Sequence, residues 1–352
     1  MRAESSLGSG GAVLEVRHLS VDFALPTTRV RAVDDVSFTV YADDVYALVG
    51  ESGCGKSTLA SALLDLVPEP GVIASGDVLL RGTNVRSMTA DQVRRARMAQ
   101  IAMVFQGAMS SFNPVVTIGS QVEHVLEAHP EVWPDRKEGL RYFDHLLEMV
   151  RLPGSRMRGS FESQLSGGMK QRVAIAFACV LKPSILVLDE PTTALDVVNQ
   201  RLVIDVLKEL REKLGVTIVF VTHDLSVVAE LATVVGVMYA GRMVQIAPID
   251  TIFYDRRRHP YVQALLLSIP NVLQAGRAAR SIPGRVPRLD QLPPGCRFAP
   301  RCPLAEQVCL LEDPPLIGDS RHNAVACHPL NRHTSGADGG QDLLPGRAVN
   351  GA

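Results

Sequence analysis

The chain has 352 residues, of which 46% are hydrophobic, and a formal net charge of −1 at pH 7. This length allows two or three domains, and the hydrophobic fraction is sufficient for packed cores. The near-zero charge excludes a whole-molecule field that would attract nucleic acid, so no nucleic-acid partner is predicted. The longest apolar run, residues 173–188, is interrupted by Lys182 and Pro183 and is too short to cross a bilayer. Residues 1–12 are rich in Ser and Gly, and we expect a disordered segment without a signal peptide.

The first candidate site is GESGCGKS at residues 50–57, which follows an apolar, strand-like run at residues 45–49. Its three glycines allow a tight loop whose N–H groups face phosphate oxygens, Lys56 adds a positive charge, and Ser57 offers a hydroxyl to Mg²⁺. A helix is predicted from Ser57 to Leu66, so the loop ends at a helix N-terminus, where anions are favoured. The predicted ATP contacts of this loop are Gly50, Glu51, Ser52, Gly53, Cys54, Gly55, Lys56, Ser57 and Thr58.

The segments on either side of this loop alternate or run apolar as strands do, and a helical pattern follows them. We predict an antiparallel β-subdomain, a further pair of strands, and a helical insert before the second half of the core. The predicted strands are residues 13–22 and 33–41 for the subdomain and 76–81 and 100–105 for the further pair, and the predicted helices are residues 118–128 and 141–151.

The second half of the core alternates strands with helices. This alternation predicts an α/β fold with a parallel sheet and the nucleotide at the carboxyl ends of its strands. The predicted strands are residues 185–188, 216–222 and 234–239, and the predicted helices are residues 171–181 and a segment that carries Leu202, Val206, Leu210 and Leu214 on one face and ends at Gly215.

Polar residues follow three of the predicted strands. Asp189 and Glu190 come directly after a buried strand, so we expect Asp189 to hold Mg²⁺ and Glu190 to act on the attacking water as general base or orienter. His223 follows another strand, in a position from which its ring reaches a γ-phosphate. Gln106 follows a third, and its amide is expected to contact metal and water. The predicted catalytic residues are Glu190, His223 and Gln106, and the predicted Mg²⁺ ligands are Ser57, Gln106 and Asp189.

A second phosphate-binding pattern, LSGGMKQR, lies at residues 165–172. Ser166 is expected to cap the following helix, while Gly167 and Gly168 allow the backbone to approach phosphate closely. Since the chain already has one complete phosphate loop, this segment is expected to serve the nucleotide of another subunit.

Four of the six cysteines are concentrated near the end of the chain: Cys296, Cys302, Cys309 and Cys327. In a reducing compartment such a cluster indicates metal binding more than disulfides. Four thiolates suit either Zn²⁺ or an iron–sulfur centre, and unmetallated thiols are the third possibility. The intervals of five, six and seventeen residues differ from the short pairs of structural zinc sites, and Cys302 is followed by Pro303, as in ferredoxin-type sites.

Together these motifs resemble those of the nucleotide-binding subunits of ABC transporters, over roughly residues 13–330. The resemblance implies a P-loop NTPase core with an antiparallel β-subdomain, a helical subdomain and a Cys-rich C-terminal extension. It also implies a head-to-tail dimer with two ATP molecules between P-loop and signature faces. The matching positions are Ser166–Gly168 for the signature loop, Gln106 for the Q-loop, residues 194–196 for the D-loop, His223 for the switch histidine, and Phe23 for the aromatic residue that stacks on adenine.

The implied organisation is a disordered segment at residues 1–12, an ATPase domain at 13–255 with its helical subdomain at about 107–165, a C-terminal domain at 256–332, and a disordered tail at 333–352.

The end of the chain resembles the D-type ATPases of oligopeptide, dipeptide and nickel importers. The segments that carry this resemblance are HPYVQALLLSIP at 259–270, IPGRVPRL at 282–289 and GCRFAPRCPLAEQVC at 295–309. In that group the four cysteines can ligate a [4Fe–4S] cluster. One departure follows the Q-loop, where Gly107 and Ala108 replace the common Asp-Pro in the segment expected to face the permease.

The resemblance implies a peripheral subunit on the cytoplasmic face of the inner membrane that hydrolyses ATP to energise uptake of di- and oligopeptides. Its implied partners are a paralogous ATPase that completes a heterodimer, two transmembrane permease subunits and an extracytoplasmic solute-binding protein. The alternatives are a nickel or other small-solute importer and a soluble ABC ATPase without a transport role.

Overall fold

A computed structural model describes residues 11–107, 111–255, 257–268, 281–319 and 323–332. Residues 1–10 and the predicted tail at 333–352 lie outside the described residues. The description begins at Gly11, and Ala12 already pairs with Tyr41 in a sheet. Among the described residues, no helix combines the length and the apolar character of a membrane span.

Twelve strands and twelve helices are found in the described ranges, each numbered in chain order. The strands are β1 (Ala12–Ala24), β2 (Arg29–Tyr41), β3 (Val45–Val49), β4 (Gly71–Leu80), β5 (Thr83–Asn84), β6 (Ile101–Val104), β7 (Ile185–Asp189), β8 (Thr217–Thr222), β9 (Val234–Tyr239), β10 (Arg242–Pro248), β11 (Ile317–Asp319) and β12 (Asn323–Val325). The helices are α1 (Lys56–Ala62), α2 (Ala90–Ala96), α3 (Ile118–Ala128), α4 (Arg136–Met149), α5 (Gly154–Arg158), α6 (Gly167–Ala178), α7 (Val197–Leu214), α8 (Leu225–Leu231), α9 (Ile249–Tyr254), α10 (Pro260–Leu267), α11 (Gln307–Leu311) and α12 (His328–Arg332).

The first sheet is antiparallel, with strand order β2-β1-β4-β5. It confirms the predicted antiparallel part of an α/β fold. The predicted pairing of residues 76–81 with 100–105 is wrong, because β4 pairs with β1 whereas β6 pairs in parallel with β7. The local pattern correctly marks both segments as strands. It does not give their partners, because pairing depends on which faces of a strand become buried. Strand β6 is almost fully buried, as is usual for a strand of a parallel sheet.

The second sheet has eight strands in the order β11-β12-β10-β9-β3-β8-β7-β6. Strands β9, β3, β8, β7 and β6 are parallel, so their carboxyl ends lie along one edge. All five residues of β3 are buried. Its side chains alternate between two cores, because Val45 and Ala47 belong to the larger cluster and Tyr46 and Leu48 to the other. The sheet therefore separates two hydrophobic layers.

Helices α3, α4 and α5 form the helical part between the two halves of the core, as the sequence predicts. The bounds of α3 agree with the prediction, since Thr117 caps the helix by accepting a hydrogen bond from the Ser120 N–H. Its Ile118, Val122 and Leu126 are fully buried on one face. This apolar spacing is the pattern that identified the helix.

Some helix boundaries differ from the predictions. Helix α1 ends at Ala62 and not at Leu66, and Asp65 adopts a left-handed backbone conformation with φ of 52°. Helix α4 begins at Arg136, where Asp135 caps it, and ends before Arg151. The predicted stop of α7 at Gly215 is confirmed, since this glycine has φ of 63° and caps the helix.

The C-terminal extension continues the large sheet. Strand β12 pairs antiparallel with β10 through Gln245 and Val325, and β11 pairs with β12. Helix α10 packs with the large core through Tyr261 and Val262, both nearly inaccessible to solvent. The extension is therefore joined to the rest of the protein by main-chain pairing and by buried side chains.

Candidate functional site

The glycine-rich loop lies between β3 and α1, at the carboxyl edge of the parallel strands. Gly50 and Gly55 have φ of 154° and 102°, and a Cβ at either position would approach a backbone oxygen within 2.3 Å and 2.2 Å respectively. These oxygens belong to Met238 and Ala32. Only glycine satisfies both constraints, so the loop geometry is fixed by its close packing on β9 and β2.

Lys56 is buried inside this loop. Its Nζ donates hydrogen bonds to the carbonyl oxygens of Gly50 at 2.8 Å and Glu51 at 3.0 Å. The ammonium group is thereby placed within the loop, where a phosphate chain would meet a positive charge.

Ser57 and Asp189 meet at the end of β7. The Ser57 hydroxyl donates a hydrogen bond of 3.0 Å to Oδ1 of Asp189. Burial raises the pKa of Asp189, and the Glu190 charge adds to this, while Ser57 and Lys56 act in the opposite direction. A hydroxyl and a carboxylate oxygen at this separation form a donor set of the kind that Mg²⁺ prefers, so the residues fit the ion.

Glu190 follows β7 and is the centre of a hydrogen-bonded group. Its Oε2 accepts hydrogen bonds of 2.9 Å from the Gln106 side-chain amide and from the Thr193 hydroxyl. Its Oε1 lies 3.3 Å from Nδ1 of His223. The structure thus brings together Glu190, Gln106 and His223, and it adds Thr193, which the sequence analysis did not identify.

The backbone of Glu190 is held as well. Its N–H donates to the Val221 carbonyl at 2.9 Å, and the residue has a left-handed φ of 50°. A non-glycine residue in this region is uncommon and marks positions held by their surroundings. The carboxylate is therefore fixed in direction, while the neighbouring His223 side chain remains 61% exposed. This combination suits a group that orients water beside an open ligand position.

The segment Ser166–Gly168 has its contacts elsewhere. Ser166 caps α6 by accepting a hydrogen bond from the Met169 N–H. A Cβ on Gly168 would approach the side-chain oxygen of Asn199 within 2.3 Å, so this glycine packs closely against α7. The adjoining Val197 and Val198, at the start of α7, are 81% and 77% exposed. Within the chain, this segment therefore lies beside the exposed start of α7. It does not form part of the glycine-rich loop site around Lys56.

Phe23 lies on β1 in the antiparallel sheet. Its ring is partly buried and covers Gly71 of β4, because a Cβ there would come within 2.7 Å of the ring. The ring is thus supported by its own sheet on one side.

The four cysteines of the extension line one small pocket. His259, Phe298 and His328 are among the other lining residues. Burial raises the pKa of Cys296 to about 11 and that of Cys327 to about 12, and it also raises the pKa of Cys302. In the part of the chain that the structure describes, no three His, Cys, Asp or Glu side chains are arranged to hold a single metal ion.

Two residues of the extension contact the glycine-rich loop and were not singled out from the sequence. Tyr261 accepts a hydrogen bond from the Glu51 N–H, and Arg301 pairs with the Glu51 carboxylate. Both lie within segments that carried the family resemblance, but their partner in the loop has no local sequence signal.

The sequence matches three families. Residues 33–193 match the family described as ABC transporter, and residues 244–309 match the one described as oligopeptide/dipeptide transporter, C-terminal region. The third match, residues 160–229, overlaps the first and is to a family described as AAA domain, putative AbiEii toxin, Type IV TA system.

Named relatives match nearly the whole chain. A putative peptide import ATP-binding protein of Brucella melitensis is 40% identical over 328 residues, which cover 90% of this chain and 96% of the relative. A protein with the same description from Brucella suis is 40% identical over 318 residues, with 90% and 95% covered.

Solved structures share the fold. An ATP-binding cassette in a dimeric post-hydrolysis state bound to ADP and Pi is 26% identical, with a TM-score of 0.58, covering 67% of this chain and 98% of that one. A subunit of an ABC transporter complex from Clostridium perfringens, at 24% identity and the same TM-score, covers 70% of this chain and 92% of that one.

Proposed function

We propose that this chain, which belongs to the ATP-binding proteins of ABC transporters, hydrolyses ATP to drive import of di- and oligopeptides across the bacterial cytoplasmic membrane. The relatives that match 90% of the chain are named as putative peptide import ATP-binding proteins. The match of residues 244–309 to the oligopeptide/dipeptide transporter region supports the same substrate class.

The observation that carries the ATPase proposal is the linked pair of hydrogen-bonded groups at the carboxyl edge of the parallel sheet. Ser57 bonds to Asp189, and the next residue, Glu190, is held by Gln106 and Thr193. A phosphate loop, a metal-binding carboxylate and a water-orienting carboxylate thus stand side by side. These are the parts that phosphoryl transfer to water requires.

We assign roles to these residues as follows. The loop N–H groups and Lys56 bind the phosphates of ATP, and Phe23 supports the adenine. Ser57, Asp189 and the Gln106 amide oxygen would hold Mg²⁺, which neutralises charge on the phosphates when bound. Glu190 orients the water and accepts its proton as oxygen bonds to the γ-phosphorus and ADP leaves. His223, whose Nδ1 lies 3.3 Å from Oε1 of Glu190, contacts the γ-phosphate.

The signature segment serves a second subunit. Its Gly168 packs against Asn199 of α7, two residues beyond the first of two exposed valines at positions 197 and 198. Exposed apolar side chains beside a phosphate-binding segment indicate an interaction surface, and we infer that another ATPase subunit covers it. We propose a head-to-tail dimer, with a paralogous chain as the partner.

The permease subunits are proposed to dock beside the Q-loop. A cavity of about 370 Å³ there is lined mainly by apolar side chains, including Phe105, Phe112 and Phe177. Phe105 directly precedes Gln106 and is 42% exposed, so an occupant of this cavity would contact the segment that joins β6 to Gln106. A helix from the cytoplasmic side of the permease fits this position, and the chain would then be peripheral on the inner membrane.

The four-cysteine pocket is proposed to hold a [4Fe–4S] cluster. Four thiols on one pocket match the ligand set of such a cluster. Zn²⁺, which cysteine thiolates also bind, is the alternative. The cluster would supply structural cross-links or a redox response, since hydrolysis itself transfers no electron.

Reconstitution of the whole importer tests this function. The chain is purified with its partner ATPase, two permease subunits and solute-binding protein in liposomes, and ATP hydrolysis is measured with and without ligand. Stimulation by di- or oligopeptides is expected. Stimulation by Ni²⁺ alone would favour the nickel alternative, and hydrolysis that is independent of any permease would favour a soluble ABC ATPase.

A further inference from the structure

One residue of the glycine-rich loop, Glu51, is hydrogen-bonded to two residues of the C-terminal extension. Two nitrogens of the Arg301 guanidinium donate to its two carboxylate oxygens, at 2.8 Å and 3.1 Å. The Arg301 side chain is only 4% exposed, and its Nε donates to the carbonyl of Pro283 at 2.7 Å. A bidentate, largely buried ion pair fixes both distance and direction.

The main chain of Glu51 is held separately. Its N–H donates a hydrogen bond of 2.8 Å to the hydroxyl of Tyr261. Tyr261 is inaccessible to solvent, and its ring contacts those of Tyr239 and Phe298 at centroid distances of 4.7 Å and 5.4 Å. Side chain and backbone of the same loop residue are thus anchored by two different segments of the extension.

The same segments build the four-cysteine pocket. Arg301 directly precedes Cys302, and Phe298 contacts Tyr261 while it also lines the pocket. On the other side, Arg297 follows Cys296 and donates to the Ala240 carbonyl. The next residue, Gly241, donates its N–H to the Cys54 carbonyl at 2.9 Å. Two chains of contacts therefore connect the pocket with the loop.

We propose that Arg301 and Tyr261 are positioning residues of the ATP site. Through them, the affinity of the loop for nucleotide depends on whether the four-cysteine pocket is intact or disrupted. This inference rests on the proposed ATPase function. A loop held in its phosphate-binding shape loses less conformational freedom when ATP binds, so a held loop binds ATP more tightly than a released one.

The test is nucleotide binding by the full-length chain, measured with a fluorescent ATP analogue and Mg²⁺. Arg301→Ala and Tyr261→Phe are each expected to weaken binding about tenfold, the range of a lost hydrogen bond to a charged or buried group. Arg301→Lys should restore part of the affinity, because it keeps the charge but not the bidentate geometry. The control is Arg288→Ala, which removes an exposed pair with Asp290 in the same extension and should change nothing.

Kinetics and metal content distinguish positioning from damage. In the assembled complex, the variants should raise KM for ATP while kcat at saturating ATP remains near that of the wild type. Iron and zinc content should be unchanged in Arg301→Ala. Cys302→Ser should weaken ATP binding to a similar extent. The double variant of Arg301→Ala and Cys302→Ser should bind ATP no more weakly than either single variant.

Wild-type affinity in both Tyr261→Phe and Arg301→Ala would overturn the inference. Loss of affinity in Arg301→Ala or Tyr261→Phe only in proportion to metal lost from that same variant would also overturn it, since the effect would then be collapse of the extension and not release of Glu51. A wild-type chain that binds no nucleotide would instead overturn the proposed function.

Discussion

Gln106 and Glu190 are 84 positions apart in sequence and are joined by a hydrogen bond of 2.9 Å between Nε2 and Oε2. They meet because β6 and β7 are parallel neighbours whose carboxyl ends lie at one edge. An occupant that displaces β6 or the Q-loop would therefore move the amide that holds the carboxylate. We therefore expect this bond to couple the proposed permease-docking cavity to hydrolysis.

Replacing Glu190 with Gln is expected to abolish hydrolysis without abolishing ATP binding. The amide keeps the shape but cannot accept a proton, so turnover should fall by about a hundredfold or more, the range of general-base losses. Turnover and equilibrium binding of a fluorescent ATP analogue are the two measurements. Glu212→Gln, an exposed position on α7, serves as the matched control. Near-normal turnover in E190Q would contradict the assignment.

The chain alone is expected to be catalytically incomplete, because it carries one phosphate loop and one signature segment. ATPase activity per subunit should fall when the purified chain is diluted. Val198→Glu should lower activity further at a given concentration while it leaves ATP binding intact, because it places a charge on the proposed dimer face. Val115→Glu, at a position that is 80% exposed before α3, is the control. A rate per subunit that does not depend on concentration would reject the composite site.

Protein purified without oxygen is expected to be brown and to contain about four iron atoms per chain. Cys302→Ser should remove the colour while the ATPase core remains folded by circular dichroism. Cys179→Ala provides the control, since this buried cysteine at the end of α6 is not among the residues that line the pocket. Colourless protein with one zinc per chain would reject the cluster and support the alternative.

Asp34 is expected to confer stability that depends on pH. Burial raises its pKa, but Arg242 and Arg297 outweigh this, so the pKa lies below its ordinary value. Asp34→Asn should cost about 3 kcal/mol of unfolding free energy at neutral pH, because it removes the carboxylate that pairs directly with buried Arg297. A lowered pKa in the fold means that this stabilisation is present above the ordinary aspartate value of about 3.9 and disappears as the pH falls through the native pKa.

Urea unfolding of D34N and wild type between pH 7 and pH 3 measures that difference. The difference between the two curves should begin to narrow as the pH falls below about 5 and should continue to narrow towards pH 3. Asp91→Asn, which removes exposed pairs with Arg94 and Arg95, should differ little from wild type at any pH. A pH-independent difference for D34N would show that the aspartate acts through packing and not through its charge.

Much of the fold was available from local patterns. The apolar spacing and caps of α3 gave its bounds, and the continuous apolar run of β9 gave those of Val234–Tyr239. The partner of β4 was not available in this way, because residues 76–81 carry the same strand pattern whichever neighbour they pair with. Pairing depends on which faces become buried when the whole sheet assembles.

The same limit applies to the candidate site. Glu190, Gln106 and His223 could be proposed because each follows a predicted strand, and parallel strands bring their ends together. The contacts of Glu51 with Tyr261 and Arg301 span 210 and 250 positions. No short-range periodicity encodes a contact of that range, so they required the three-dimensional structure.

The pairing of β12 with β10 has a consequence for anyone who shortens this protein. A chain ended at residue 255 would leave β10 with unpaired N–H and C=O groups along Gln245 and Ile246, which now face Val325 and Ala324. Bare sheet edges of this kind recruit other strands and promote aggregation. A minimal cassette cut at that boundary would therefore be expected to precipitate or associate edge to edge. Grafting the extension onto another cassette would require that the recipient's strand at the position of β10 pair with β12 in this register.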